Sequence, residues 1–291
     1  MTQPADVFVR VELVRSELEI LRQELGRPRD ERGDLKLTGA APREVLFEAL
    51  AMFRKSDRFC FERTGEQAML PQPPPADQVE PAHVKAVVDV ALTRIEQVKA
   101  RLGITETGTA PARDDSKQPS DVLRALFQAN RQLNGLLDQP FTPNDVYQLL
   151  TLSVGYATRL ASRIPNPPAI ELPGFERKKR PGDVYTRLWS CFGSLRKAIT
   201  GSGLEMLELG KPPFEADAVA PSDVYDLASL LVAELVYLHG RAPDLEPPST
   251  TDFYEVGHKV PSHVFQLAGL LENQVTALAR AVEANANILV G

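Results

Sequence analysis

"PSDVY", residues 221–225, is a sound way to begin a helix, and the chain returns to it throughout its length. "PNDVY" stands at 143–147, "PGDVY" at 181–185, "PSDVL" at 119–123, "PADVF" at 4–8 and "PSHVF" at 261–265. "PREVL" at 42–46 and "PAHVK" at 81–85 are looser forms. The prolines are Pro4, Pro42, Pro81, Pro119, Pro143, Pro181, Pro221 and Pro261, at intervals of 38, 39, 38, 24, 38, 40 and 40 residues. A near-constant period is the mark of repeated supersecondary units. The one short interval parts the eight into two sets of four. The simplest expectation is a four-unit module that has itself been duplicated.

Each motif has a physical reason to start a helix. Proline's fixed φ and missing N–H suit the first helical turn. Asp6, Glu44, Asp121, Asp145, Asp183 and Asp223 stand two residues later, where the macrodipole favours negative charge. Thr142 alone among the preceding residues is a good N-cap. The valine, present in all eight, opens an apolar stripe that steps by four and three. One example is Val264, Ala268, Leu271, Val275, Leu278, Val282; another is Val84, Val88, Ala91, Ile95, Val98, Leu102. Such a seven-residue rhythm packs knobs into holes. Phe8, Tyr147, Tyr185, Tyr225 and Phe265, one residue after the valine, widen the apolar face as a bundle helix requires.

The predicted fold is therefore all-α: eight long helices in two tandem four-helix modules, 1–139 and 140–291. The helices are expected near 4–26, 42–63, 81–103 and 119–138, then 143–163, 181–201, 221–240 and 261–287. Six of the seven connections exceed the roughly 2–8 residues usual between bundle helices, and several are rich in proline, such as "LPQPPPADQVE" at 70–80. Proline-rich chain advances about 3.1 Å per residue, enough to travel back along a helix. Two wirings satisfy these lengths. Neighbouring helices run antiparallel with the linkers decorating the ends, which is the commoner arrangement, or each linker returns alongside the bundle and the helices of a set are parallel. The length of all six linkers tips the reading toward the second. Phe175, Phe214, Phe253 and Tyr254 fall at similar places in three linkers and are the candidate anchors and partner contacts.

Composition sets bounds. With 43% hydrophobic and 25% charged residues the chain is globular, and a net charge of −6 argues against a nucleic-acid partner. The basic run Arg177–Arg180 reads as solvated linker. Cys60 and Cys191 are too few for a disulfide framework and fall among apolar residues, so they read as buried thiols. No apolar run reaches the ~18 residues of a membrane span. The expected compartment is the cytoplasm, or the exterior if a signal has been removed.

Chemistry is harder to find. His83 and His263 take the place of the motif acid, and Glu80–His83 and Glu255–His258 have the Glu-x-x-His spacing of bundle metal sites. His83, His258 and His263 are thus weak metal candidates, against the simpler reading of imidazoles standing in for the acid. No catalytic or cofactor-binding residue and no cofactor is predicted. Glu17, Arg94, Arg131, Arg159, Arg196 and Glu234 lie midway along their helices and are expected to be solvated. Phosphate-loop, dinucleotide, nucleophile-elbow and zinc-protease motifs are absent from the sequence. The expected function is a non-enzymatic interaction or scaffold protein with a protein partner. The alternatives are a sensory bundle binding a small molecule or metal, and an enzyme without a recognisable motif.

Overall fold

The computed structural model describes residues 2–210, 215–242, 244–248 and 257–289. It is all-helical apart from one pair of two-residue strands. The helices are α1 (Pro4–Glu24), α2 (Pro42–Thr64), α3 (Pro81–Leu102), α4 (Pro119–Leu136), α5 (Pro143–Ala161), α6 (Pro181–Gly201), α7 (Pro221–Gly240) and α8 (Pro261–Ala284). Every motif proline is the first residue of a helix, and all eight motif valines are buried. Helices α1, α4, α5 and α8 end two or three residues short of the expected limits. Gly65, Gly103 and Gly203, all at positive φ, follow α2, α3 and α6 and stop them.

The chain divides into two compact units, Met1–Pro140 with Glu208–Pro213, and Phe141–Leu207 with Phe214–Gly291. Residues Glu208–Leu209 (β2) join the first unit because they pair antiparallel with Leu37–Thr38 (β1), Leu37 opposite Leu209. In unit 1, α1 packs on α3 and α4, and α2 packs on the same two. In unit 2, α5 packs on α7 and α8, and so does α6. Each unit is thus a ring of four, with α1 diagonal to α2, α3 to α4, α5 to α6 and α7 to α8.

All four helices of each ring run in the same direction. Pro4, Pro42, Pro81 and Pro119 line one end of unit 1 together with Val7, Val45, Val84 and Val122. Pro143, Pro181, Pro221 and Pro261 do so in unit 2 with Val146, Val184, Val224 and Val264. Parallel helices that share one stepping pattern bring equivalent positions to the same height, so the stripe stacks in layers of four. Large and small residues exchange diagonals between layers, as close packing demands. In unit 2 the equivalent buried positions are Leu150, Leu188, Ala228 and Ala268 in one layer, and Ser153, Cys191, Leu231 and Leu271 in the next. Unit 1 sets Val14 and Met52 against Ala91 and Ala129. The stripe fails only at its ends, where Leu102 is 40% exposed.

Parallel wiring requires each linker to return the length of a helix, about 30 Å for twenty residues. The contacts trace that return. After α1, Arg27 pairs with Asp138 beyond the end of α4, Gly33 accepts from Arg131 halfway along it (2.8 Å), and the Ala40 N–H donates to Ser120 at its start (3.1 Å). After α3, the Gly108 and Thr109 N–H groups donate to Glu17 and Ser16 of α1, and Arg113 reaches Asp6 at its first turn (2.8 Å). In unit 2, Arg163 past α5 meets Asp244, and the Gly257 carbonyl accepts from Asn144 at the start of α5 (3.4 Å). The linkers lie on neighbouring helices rather than beyond the bundle ends.

Candidate functional site

The end where four helices start is the most organised surface of each unit. In six of the eight helices the acid two residues after the proline accepts the N–H of the residue before that proline. Gln3 donates to Asp6 (2.8 Å), Ala41 to Glu44 (2.8 Å), Gln118 to Asp121 (2.9 Å), Thr142 to Asp145 (2.7 Å), Arg180 to Asp183 (2.7 Å) and Ala220 to Asp223 (2.8 Å). This is the reciprocal half of a capping box. It works without a capping side chain at the preceding residue, and so explains why alanine and valine are tolerated there. The Gln3 amide, helped by Arg113, holds the Asp6 carboxyl below the usual carboxylate range. Inside the capped rim lies a shallow apolar depression of about 220 Å³ in unit 1 and about 210 Å³ in unit 2, open mouth included.

His83 and His263 do the acid's work. His83 Nδ1 accepts the Glu80 N–H at 3.0 Å and His263 Nδ1 the Val260 N–H at 3.1 Å. His258 is exposed beyond the start of α8. The three are not brought together: among the described residues no group of three His, Cys, Asp or Glu side chains is placed to hold a metal ion. Phe175 is not sunk in a groove. It is 47% exposed, with its ring 5.0 Å from that of His263. Phe214, Phe253 and Tyr254 lie outside the described residues.

The mid-helix polar residues correct the sequence reading in part. Arg159 is exposed and Arg131 and Arg196 half-buried, but Glu17, Arg94 and Glu234 are buried. The returning linkers bury the first two. Glu17 pairs with Lys99, which also reaches the Glu106 carbonyl. Arg94 meets Asp57 (2.9 Å), Gln97 and the Glu66 carbonyl, and the Ala68 N–H donates to Asp57 (2.9 Å). These ion pairs tie linkers to helices. Both cysteines are buried and free, and burial pushes the Cys191 thiol far up, leaving it inert.

One set of contacts escaped the sequence reading. The residue two before a motif proline packs on the residue after the valine of the next helix round the ring. Lys117 lies over Phe8 (4.8 Å), Lys259 over Tyr147 (4.4 Å) and Lys179 over Phe265 (4.1 Å), and Phe141 meets Tyr225 edge-on (4.6 Å). The same incoming chain bonds the residue after the next proline: Lys179 N–H to Ser262 (3.2 Å) and Lys259 N–H to Asn144 (2.7 Å). At Gly182 the Ala216 carbonyl crosses so closely that a Cβ would lie 2.2 Å from it. The signal was visible as a lysine before three prolines and a small residue after most of them.

Apolar exposure is concentrated on and beside the linkers. Met69 (92% exposed) and Leu70 follow α2, Leu172 and Phe175 precede α6, and Val260 precedes α8. Phe61 stands one turn after Asp57 on α2, and Val90 one turn before Arg94 on α3, so both flank the ion pair that fixes the Met69 linker. Among the described residues no helix is long and apolar enough to cross a membrane. No family model, curated protein or solved structure matches the chain.

Proposed function

We propose that the protein is a non-enzymatic interaction protein whose two bundles are frames for displaying return linkers to a protein partner. The observation that supports this most is the placing of apolar side chains. The stripes of the helices close into layers, whereas Met69, Leu70, Leu172 and Phe175 stand exposed on linkers whose backbones are fixed to helices. Ordered display of apolar side chains lowers the entropy cost of binding. The shared ring order and the 3-10 turns at Ala76–Gln78 and Ala216–Ala218, each just before the third helix of its unit, also support descent of both units from one copied segment.

The test compares proteins retained from a native extract by the immobilised chain with those retained by Met69→Glu and Phe175→Glu variants of unchanged thermal unfolding. A partner held by the parent chain and released by either variant is the expected result; identical retention contradicts the proposal. A second reading, binding of a small apolar molecule, draws on the two proline- and valine-lined depressions. It predicts a constant small adduct in native mass spectrometry that disappears in Val146→Trp.

A further inference from the structure

We propose that the helix-start end of the second unit docks an acidic protein segment carrying an apolar side chain; this rests on the interaction role above and names the chemistry of the partner. Three features of that end meet on one surface. The first is the apolar depression of Pro143, Pro181, Pro221 and Pro261. The second is the apolar rim: Val260 immediately precedes Pro261, its N–H is held by His263, and the His263 ring carries Phe175. Val260 and Phe175 are both exposed.

The third feature is charge. Residues 177–180 are Arg, Lys, Lys and Arg, and they run from Phe175 to Pro181, which lines the depression. The Lys179 N–H donates to Ser262, fixing this run beside the start of α8. Five carboxylates of the same end are engaged, while Glu215 is exposed. Asp145, Asp183 and Asp223 hold cap N–H groups, Glu176 pairs with Lys179 (2.7 Å) and Asp217 with Arg180 (3.2 Å). Arg177 and Lys178 are exposed and form no ion pair among the described residues. Four parallel helices add the positive ends of their dipoles. The complement of this surface is a carboxylate-bearing segment that sets an aliphatic or aromatic side chain against proline rings, with acids reaching Arg177 and Lys178. The first unit lacks such a run: glutamine, alanine and glutamate precede its prolines.

Fluorescence anisotropy of the full chain with a labelled short peptide of glutamates interspersed with leucine and phenylalanine tests the proposal. Comparison probes are the same peptide with lysine for glutamate, an all-glutamate peptide, and vesicles containing phosphatidylserine. The mixed acidic peptide binds most tightly, and its affinity falls with salt. The Arg177→Glu/Lys178→Glu variant and the Phe175→Ala variant each lose about fivefold or more, the effect of one kcal/mol or above, while charge reversal of an exposed arginine on the first unit, Arg101→Glu, loses nothing. Equal binding of the lysine peptide, no loss in the basic-run variant, or binding to vesicles alone overturns it. If an extract partner is released by Met69→Glu but not by Arg177→Glu/Lys178→Glu, the interaction role stands and this docking surface falls.

Discussion

Asp183 and His263 stand at the same place in their helices, and each accepts the N–H of the residue before its proline, at 2.7 and 3.1 Å. An acceptor is what the position requires, and charge is secondary. Asp183→Ala should therefore lower stability by about 0.5–2 kcal/mol, as loss of a cap does, measured by urea unfolding. His83 and His263 fill the same acceptor role at the starts of α3 and α8, at 3.0 and 3.1 Å. Aspartate at positions 83 and 263 should serve as well as the imidazole, and unchanged hydrogen exchange of the first-turn amides would show it. For Asp6 the sign is also defined. Its native carboxyl titrates below the unfolded one, so its contribution is present above the unfolded titration range and is lost as pH falls through the native value. Asp6→Asn should flatten that part of the acid limb of the stability curve. A carboxyl titrating at the ordinary value by NMR would refute the bond to Gln3.

Helices were the most legible level of this sequence, because proline, acid and valine act locally and each leaves a mark in one short window. All eight starts follow from them. The wiring was only half legible: linker length allows a return, but only the meeting of four prolines at one end decides it. The burial of Glu17 and Arg94 was not legible, since it depends on linkers that cross them from far along the chain. Gly182 measures how tightly one linker crosses a helix start. Gly182→Ala should destabilise by roughly 1–3 kcal/mol, as overpacking does. Gly193→Ala in the same helix, with open space around the added methyl, should be neutral or stabilise by about 0.4–1 kcal/mol. Equal effects in thermal unfolding would mean that the crossing is loose. Likewise Leu231→Ala, in a closed layer, should cost about 2–5 kcal/mol, whereas Leu102→Ala, at an exposed stripe end, should stay within about 0.5 kcal/mol.

Each unit as a whole is a parallel ring stabilised twice, by layers inside and by linkers outside. A parallel ring gathers four helix starts at one end, which is why that end needs four acceptors, and why it also carries the apolar depression and, in unit 2, the basic run. An antiparallel bundle would place two starts at each end and build neither the ring of caps nor that surface. The direct test is a pulsed electron-spin distance between nitroxides in unit 1, where the native Cys60 is buried and does not compete for label; Cys191, in the other unit, is buried as well. With α1 and α3 packed side by side and helices about 30 Å long, parallel wiring predicts a distance below about 25 Å between labels at residues 3 and 82, allowing for the roughly 8–10 Å between packed axes and the label arms. It predicts a distance above about 30 Å between labels at 3 and 101. The reverse order, long for 3 and 82 and short for 3 and 101, would contradict the parallel ring and everything built on it.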